Sequence, residues 1–172
     1  MDIDDKLIEA CENGDLSAAK KCIEQGADIH TWEDYALRYA AEEGYLEIVK
    51  LLIEHGANVH AVNDDAVTRA AFHGHLEVVQ NLVESEADFH AEDDLALRWA
   101  ATRENYAVVR YLIEKGANVY AVRDEALRWA TEKRCLKMVN TIRNAAGNKY
   151  KCHRCIIKST CLELCDDFRN RH

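Results

Sequence analysis

The chain has 172 residues, of which 48% are hydrophobic and 31% charged, with a formal net charge of −9. That length and apolar fraction suit one domain with a sizeable core, and no apolar run reaches the roughly 18 residues that a membrane-spanning helix needs. The acidic balance disfavours a phosphate backbone or an anionic membrane as partner.

The opening Met1-Asp2-Ile3-Asp4-Asp5 is acidic and does not resemble a signal or transit peptide, so a cytoplasmic location is expected. Written in rows of 30, the rest of the chain lines up without a gap. Ala40, Ala70, Ala100 and Ala130 share a column headed by Ala10. Asp34, Asp64, Asp94 and Asp124 share another headed by Asp4, and Leu37, Val67, Leu97 and Leu127 a third headed by Leu7. Val49, Val79, Val109 and Val139 make a fourth below Ala19, and Gly26, Gly56 and Gly116 a fifth, with Glu86 as its exception. The repeats run over about 4–33, 34–63, 64–93, 94–123 and 124–146.

The leading unit differs from the others, as an end unit must when one face has no neighbour. It carries Lys6 where later units have Ala36, Ala66, Ala96 and Ala126, and adds Lys20 and Lys21. Each unit predicts two short helices. In the third, Asp64 or Asp65 can cap a first helix whose stripe is Ala66, Val67, Ala70 and Ala71. Gly74 ends it, and Leu76, Val79, Leu82 and Val83 form the stripe of the second. The alanine column lets neighbouring helices approach closely. The glycine column asks for a positive φ, so Glu86 is expected to be strained.

The segment Gly44-Tyr45-Leu46-Glu47-Ile48-Val49-Lys50-Leu51-Leu52-Ile53-Glu54-His55-Gly56-Ala57-Asn58-Val59, with Gly74-His75-Leu76-Glu77-Val78-Val79, resembles the second helix and closing turn of the ankyrin repeat family. The likeness covers about residues 4–146. It implies an all-α solenoid of about five stacked helix pairs that binds another protein, as a monomer, without a cofactor and without catalysis. The family unit is about 33 residues long, whereas this one has 30 and no proline. The deficit falls before Ala36, Ala66, Ala96 and Ala126, so the family's projecting fingers are expected to be short or absent. The openings Tyr35-Ala36-Leu37-Arg38, Leu95-Ala96-Leu97-Arg98 and Glu125-Ala126-Leu127-Arg128 resemble the ankyrin proteins of amoeba-infecting giant viruses, with intracellular bacterial ones as the alternative.

Family resemblance places the column Tyr39, Arg69, Trp99, Trp129 on the first helices, near the concave face. Aromatic and arginine side chains are frequent interface anchors, so the column is either a recognition strip or packing between first helices. Arg38, Thr68, Arg98 and Arg128 offer a clamp for carboxylates or satisfy neighbouring carbonyls and the Asp column. His30, His60 and His90, above Tyr120, invite a metal reading, but a structural hydrogen bond is the stronger expectation because no second ligand shares their turn.

Cys11, Cys22 and Cys135 fall in apolar stripes and suit small buried side chains. The segment 147–172 has six basic and three acidic residues and forms a basic tail. In it Cys152, Cys155, Cys161 and Cys165 form CxxC and CxxxC pairs, a candidate zinc set that would make the protein a metal-dependent adaptor. The same residues also suit a capping helix, because Ile157, Cys161, Leu164, Cys165 and Phe168 recur at helical spacing. No phosphate-binding glycine loop, nucleophile elbow or HExxH occurs, and no nucleic acid or membrane partner is expected.

Overall fold

Small and branched apolar residues at helical spacing give each unit its pair of helices. The computed structural model describes residues 2–118. In chain order the elements are α1 (Ile3–Glu12), α2 (Leu16–Glu24), α3 (Thr31–Glu43), α4 (Leu46–Glu54), α5 (Ala61–His73), α6 (Leu76–Glu84), α7 (Ala91–Thr102) and α8 (Tyr106–Glu114). Among the described residues there is no strand. The expected fifth unit with Arg128, Ala130, Trp129 and Cys135, together with Tyr120 and the tail cysteines Cys152, Cys155, Cys161 and Cys165, lies outside the described residues.

The first helices form one row, with α3 against α1 and α5, and α5 against α7. The second helices form the other row, and each packs on the first helix of its own unit. The stripes predicted from spacing are the surfaces that meet. Ala40, Ala70 and Ala100 have no exposed surface, and Leu37, Val67 and Leu97 are buried beside them. Val49, Val79 and Val109 fill the space between the rows with Leu52, Leu82 and Leu112. Full burial of a Leu or Val side chain contributes about 1.5–3 kcal/mol, and each lies at a junction, so cohesion comes from the stacking of units. Cys11 and Cys22 are buried as expected, and Lys6, Lys20 and Lys21 of the leading unit are exposed.

The connections between units differ from a simple capped start. Helix α3 opens with Trp32, Glu33 and Asp34 at φ of 51°, 57° and 55°, a turn of left-handed backbone. Val62, Asn63 and Asp64 repeat it before the regular part of α5, and Glu92, Asp93 and Asp94 repeat it in α7. This tight turn takes the place of the longer finger. Left-handed backbone costs roughly 1–2 kcal/mol per residue without glycine, so each turn must be held from outside.

The Asp column does that holding, and the expectation that Asp64 or Asp65 caps its own helix is corrected. No side chain caps α3, α5 or α7. The Asp64 carboxylate instead accepts the Asp88 backbone N–H at 2.7 Å, just as Asp34 accepts that of Asn58 at 2.8 Å. Asp4 and Asp94 do the same for Asp28 and Asn118, at 2.7 and 3.1 Å. Asp34, Asp64 and Asp94 make this bond from the last residue of the left-handed turn, and Asp4 makes it without such a turn. Among the described residues, only α1 and α2 have side-chain caps, from Asp2 with Asp5 in a reciprocal box and from Asp15.

Gly44 shows why glycine ends a first helix. Its φ is 80°, and a Cβ there would lie 2.5 Å from Nδ1 of His75 in the next unit. His75 is the residue before α6, so the unit behind is sealed by the unit in front. Asn105, one unit further on, donates from Nδ2 to the carbonyls of Ala71 and Phe72 at 2.9 and 2.8 Å, closing the end of α5.

Candidate functional site

Each described member of the Tyr39–Arg69–Trp99 column meets, or lies close to, a residue 27 positions earlier, on the preceding first helix. Arg69 donates from a terminal nitrogen to Glu42 and from Nε to Asp65 at 2.6 Å. Trp99 packs edge-on against Phe72 with ring centroids 4.9 Å apart. Tyr39 lies near Glu12 and Glu43, and burial followed by those carboxylates raises its pKa above the ordinary phenol value. Arg69 and Trp99 therefore pack against the preceding first helix, yet Trp99 keeps 39% of its surface exposed and Tyr39 and Arg69 are only half-buried. Trp129 lies outside the described residues.

Arg69 belongs to an ion-pair network joining two units. Asp65 receives Arg38 at 3.2 Å as well as Arg69, and Glu42 also faces His73 at 3.7 Å. Burial works against the charge of Arg69, but its hydrogen bonds to Asp65 and Glu42 hold its pKa above the ordinary guanidinium value. Arg38 also donates to the carbonyls of Trp32 and Glu33 at 2.9 and 3.0 Å, which ties down the left-handed turn. That matches the expected structural role of its column, except that the acidic partner is Asp65 rather than Asp64. Thr68 is buried in the same column, and Arg98 has no ion pair among the described residues.

The histidine column makes the expected hydrogen bonds. Nδ1 of His30 lies 3.1 Å from Asp34 Oδ1, and His60 and His90 stand 2.9 Å from Asp64 and Asp94. A carboxylate only accepts, so each contact needs a proton on Nδ1. Each aspartate thus joins the turn before its helix to the turn after the unit.

Four further side chains on this face escaped the sequence reading. Phe72 lies under Trp99 and under the guanidinium of Arg103, which stands 4.4 Å from its ring centre. Glu42 is the partner of Arg69. Trp32 is 64% exposed at the first left-handed turn and meets Tyr35 edge-on at 6.0 Å. Tyr35 in turn lies 5.9 Å from Tyr39. The missed signal was the offset of 27: where Arg69 becomes Trp99, Glu42 becomes Phe72, and the pair changes character together.

Among the described residues no group of three His, Cys, Asp or Glu side chains is arranged to hold a metal. None of their helices is long and apolar enough to cross a membrane. A repeated frame of stacked helix pairs, carrying side chains that vary from unit to unit along one row, defines a helical repeat solenoid.

A family model described as ankyrin repeats (3 copies) matches residues 7–93, and one described as ankyrin repeat matches 94–125. The chain belongs to the ankyrin repeat family. Ankyrin repeats generally mediate protein–protein interaction, as a non-catalytic scaffold. No curated protein matches the chain.

Proposed function

We propose that this protein is an interaction module that binds another protein across its row of first helices, with Tyr39, Trp99 and Trp129 as anchors and Arg69 as a positioning residue between them. The observation that carries this is Trp99, an aromatic side chain seated on Phe72 yet 39% exposed, in a column that changes from tyrosine to arginine to tryptophan along an otherwise uniform frame. Large aromatics that are fixed on one side and open on the other suit an interface, because little side-chain entropy remains to be lost on binding. The array is taken to extend over residues 1–146, with 147–172 as a basic, cysteine-rich tail. Affinity capture with the full chain and with Trp99→Ala, followed by identification of the captured protein, tests the assignment.

The finer reading is that of a monomer in a cytosol, acting on host or cellular proteins, without nucleic acid or membrane. It is supported by the 30-residue unit, the Ala-Leu-Arg opening shared by three units and the acidic balance. The cysteine set Cys152, Cys155, Cys161 and Cys165 supports a second arrangement, in which a zinc-holding tail recruits another partner. Metal analysis of protein purified without chelator separates the two.

A further inference from the structure

We infer that the aromatic strip Trp32, Tyr35 and Tyr39 is a docking surface for an arginine-containing segment of a partner protein. This rests on the first-helix row being the binding face, and it adds what that face recognises. The strip begins at the left-handed turn and runs along α3, with ring centroids 6.0 and 5.9 Å apart in sequence. Trp32, at 64% exposure, is the most open large hydrophobic side chain among the described residues.

The charges around the strip decide its partner. Arg38 and Arg69 are already committed to Asp65 and Glu42. Glu12, Glu33 and Glu43 have no ion pair with a basic side chain among the described residues. The Tyr35 hydroxyl donates to Glu12 at 3.5 Å, and the charges of Glu43 and Glu12 bear on the Tyr39 phenol. Uncompensated carboxylates along a strip whose Trp32 ring is exposed attract a cation twice, through the carboxylates and through the ring quadrupole. A planar guanidinium satisfies both at once, stacking on a ring while donating sideways to a carboxylate, whereas an ammonium is more strongly hydrated. The protein already uses this arrangement internally, because Arg38 lies 5.6 Å from the Tyr35 ring centre while bonding Asp65.

The test is a fluorescence-anisotropy titration of the full chain with three short labelled peptides of glycine alternating with arginine, lysine or uncharged citrulline. The arginine peptide is expected to bind, the lysine peptide more weakly and the citrulline peptide not at all. Trp32→Ala, and separately Glu12→Gln with Glu43→Gln, should each weaken arginine-peptide binding about tenfold, the scale of a partly desolvated cation–π contact. Glu54→Gln on α4 should leave it unchanged. Trp32 is largely exposed, so its removal should not unfold the protein, and matching urea midpoints check this. Equal binding of lysine and arginine peptides, or equal affinity in the strip variants and the parent, would mean general attraction to an acidic body and would overturn the proposal. So would absence of arginine-peptide binding. The broader assignment of the first-helix row fails on a different variant, when a captured partner binds Trp99→Ala undiminished.

Discussion

Asp64 Oδ1 lies 2.7 Å from the backbone nitrogen of Asp88 and 2.9 Å from Nδ1 of His60. One buried carboxylate thus joins the turn that enters its unit to the turn that leaves it, and the same bond is built in all four described units. Asp64→Ala leaves a backbone donor and a ring donor without this acceptor. Urea titration should show a loss of about 2–4 kcal/mol, with Asp64→Asn losing less because it keeps one carbonyl oxygen. Equal losses from Ala and Asn would mean that the charge, not the bridge, sets the stability.

Glu86 occupies the position where Gly26, Gly56 and Gly116 have φ of 87°, 94° and 105°, and its own φ is 71°. Nothing lies within 4 Å of a Cβ built on those glycines, so the cost is conformational rather than steric. Glu86→Gly should stabilise the array by about 1 kcal/mol and Gly56→Ala should destabilise it by a similar amount. Gly44→Ala should cost more, because its Cβ would run into the His75 ring. A larger loss at Gly56 than at Gly44 would reverse this ordering.

The repeat was legible because stacking imposes one size on the alanine, leucine and valine columns, and the glycine column was legible because only one conformation fits its turn. The left-handed turns were not. Trp32-Glu33-Asp34 and Val62-Asn63-Asp64 contain no glycine; the first is held by Arg38 and both by the Asp column rather than by their own preferences. The Asp column is legible, but a cap and a bridge require the same side chain at the same place, so its spacing does not say which N–H it accepts from. The column of Tyr39, Arg69 and Trp99 stands out in the sequence, whereas its neighbours Glu42 and Phe72 do not, because they lie one unit back, in a column that is not uniform.

Ala70 is fully buried between the first helices of neighbouring units. Ala70→Glu brings a carboxylate into a space with neither room nor a partner, and should cost about 3 kcal/mol or more. Thermal unfolding should lose cooperativity or fall sharply. A melting curve like that of the parent would mean that the alanine column does not face its neighbours.

Burial, then the proximity of Cys22 and Glu12, pushes the Cys11 thiol from 9.0 to about 12. The folded state therefore keeps its proton where the unfolded chain loses it. This contribution is fully present below about pH 9 and is lost as the pH rises towards about 12, at up to about 1.4 kcal/mol per pH unit. Cys11→Ala should lower stability at neutral pH while flattening the alkaline decline relative to the parent. Parallel curves for the two proteins would place the titration elsewhere.

The first-helix row as partner-binding face is tested most directly by the affinity of the captured partner for Trp99→Ala, measured by calorimetry beside the urea midpoint of the same variant. Removing the exposed part of an interface anchor should weaken binding by about 2 kcal/mol or more. The lost contact with Phe72 should cost the fold only about 0.5–1.5 kcal/mol beyond the area it buries. Glu47→Ala on α4 should change neither quantity. Unchanged affinity in Trp99→Ala, with the fold intact, would contradict the account and move the binding site off the first helices.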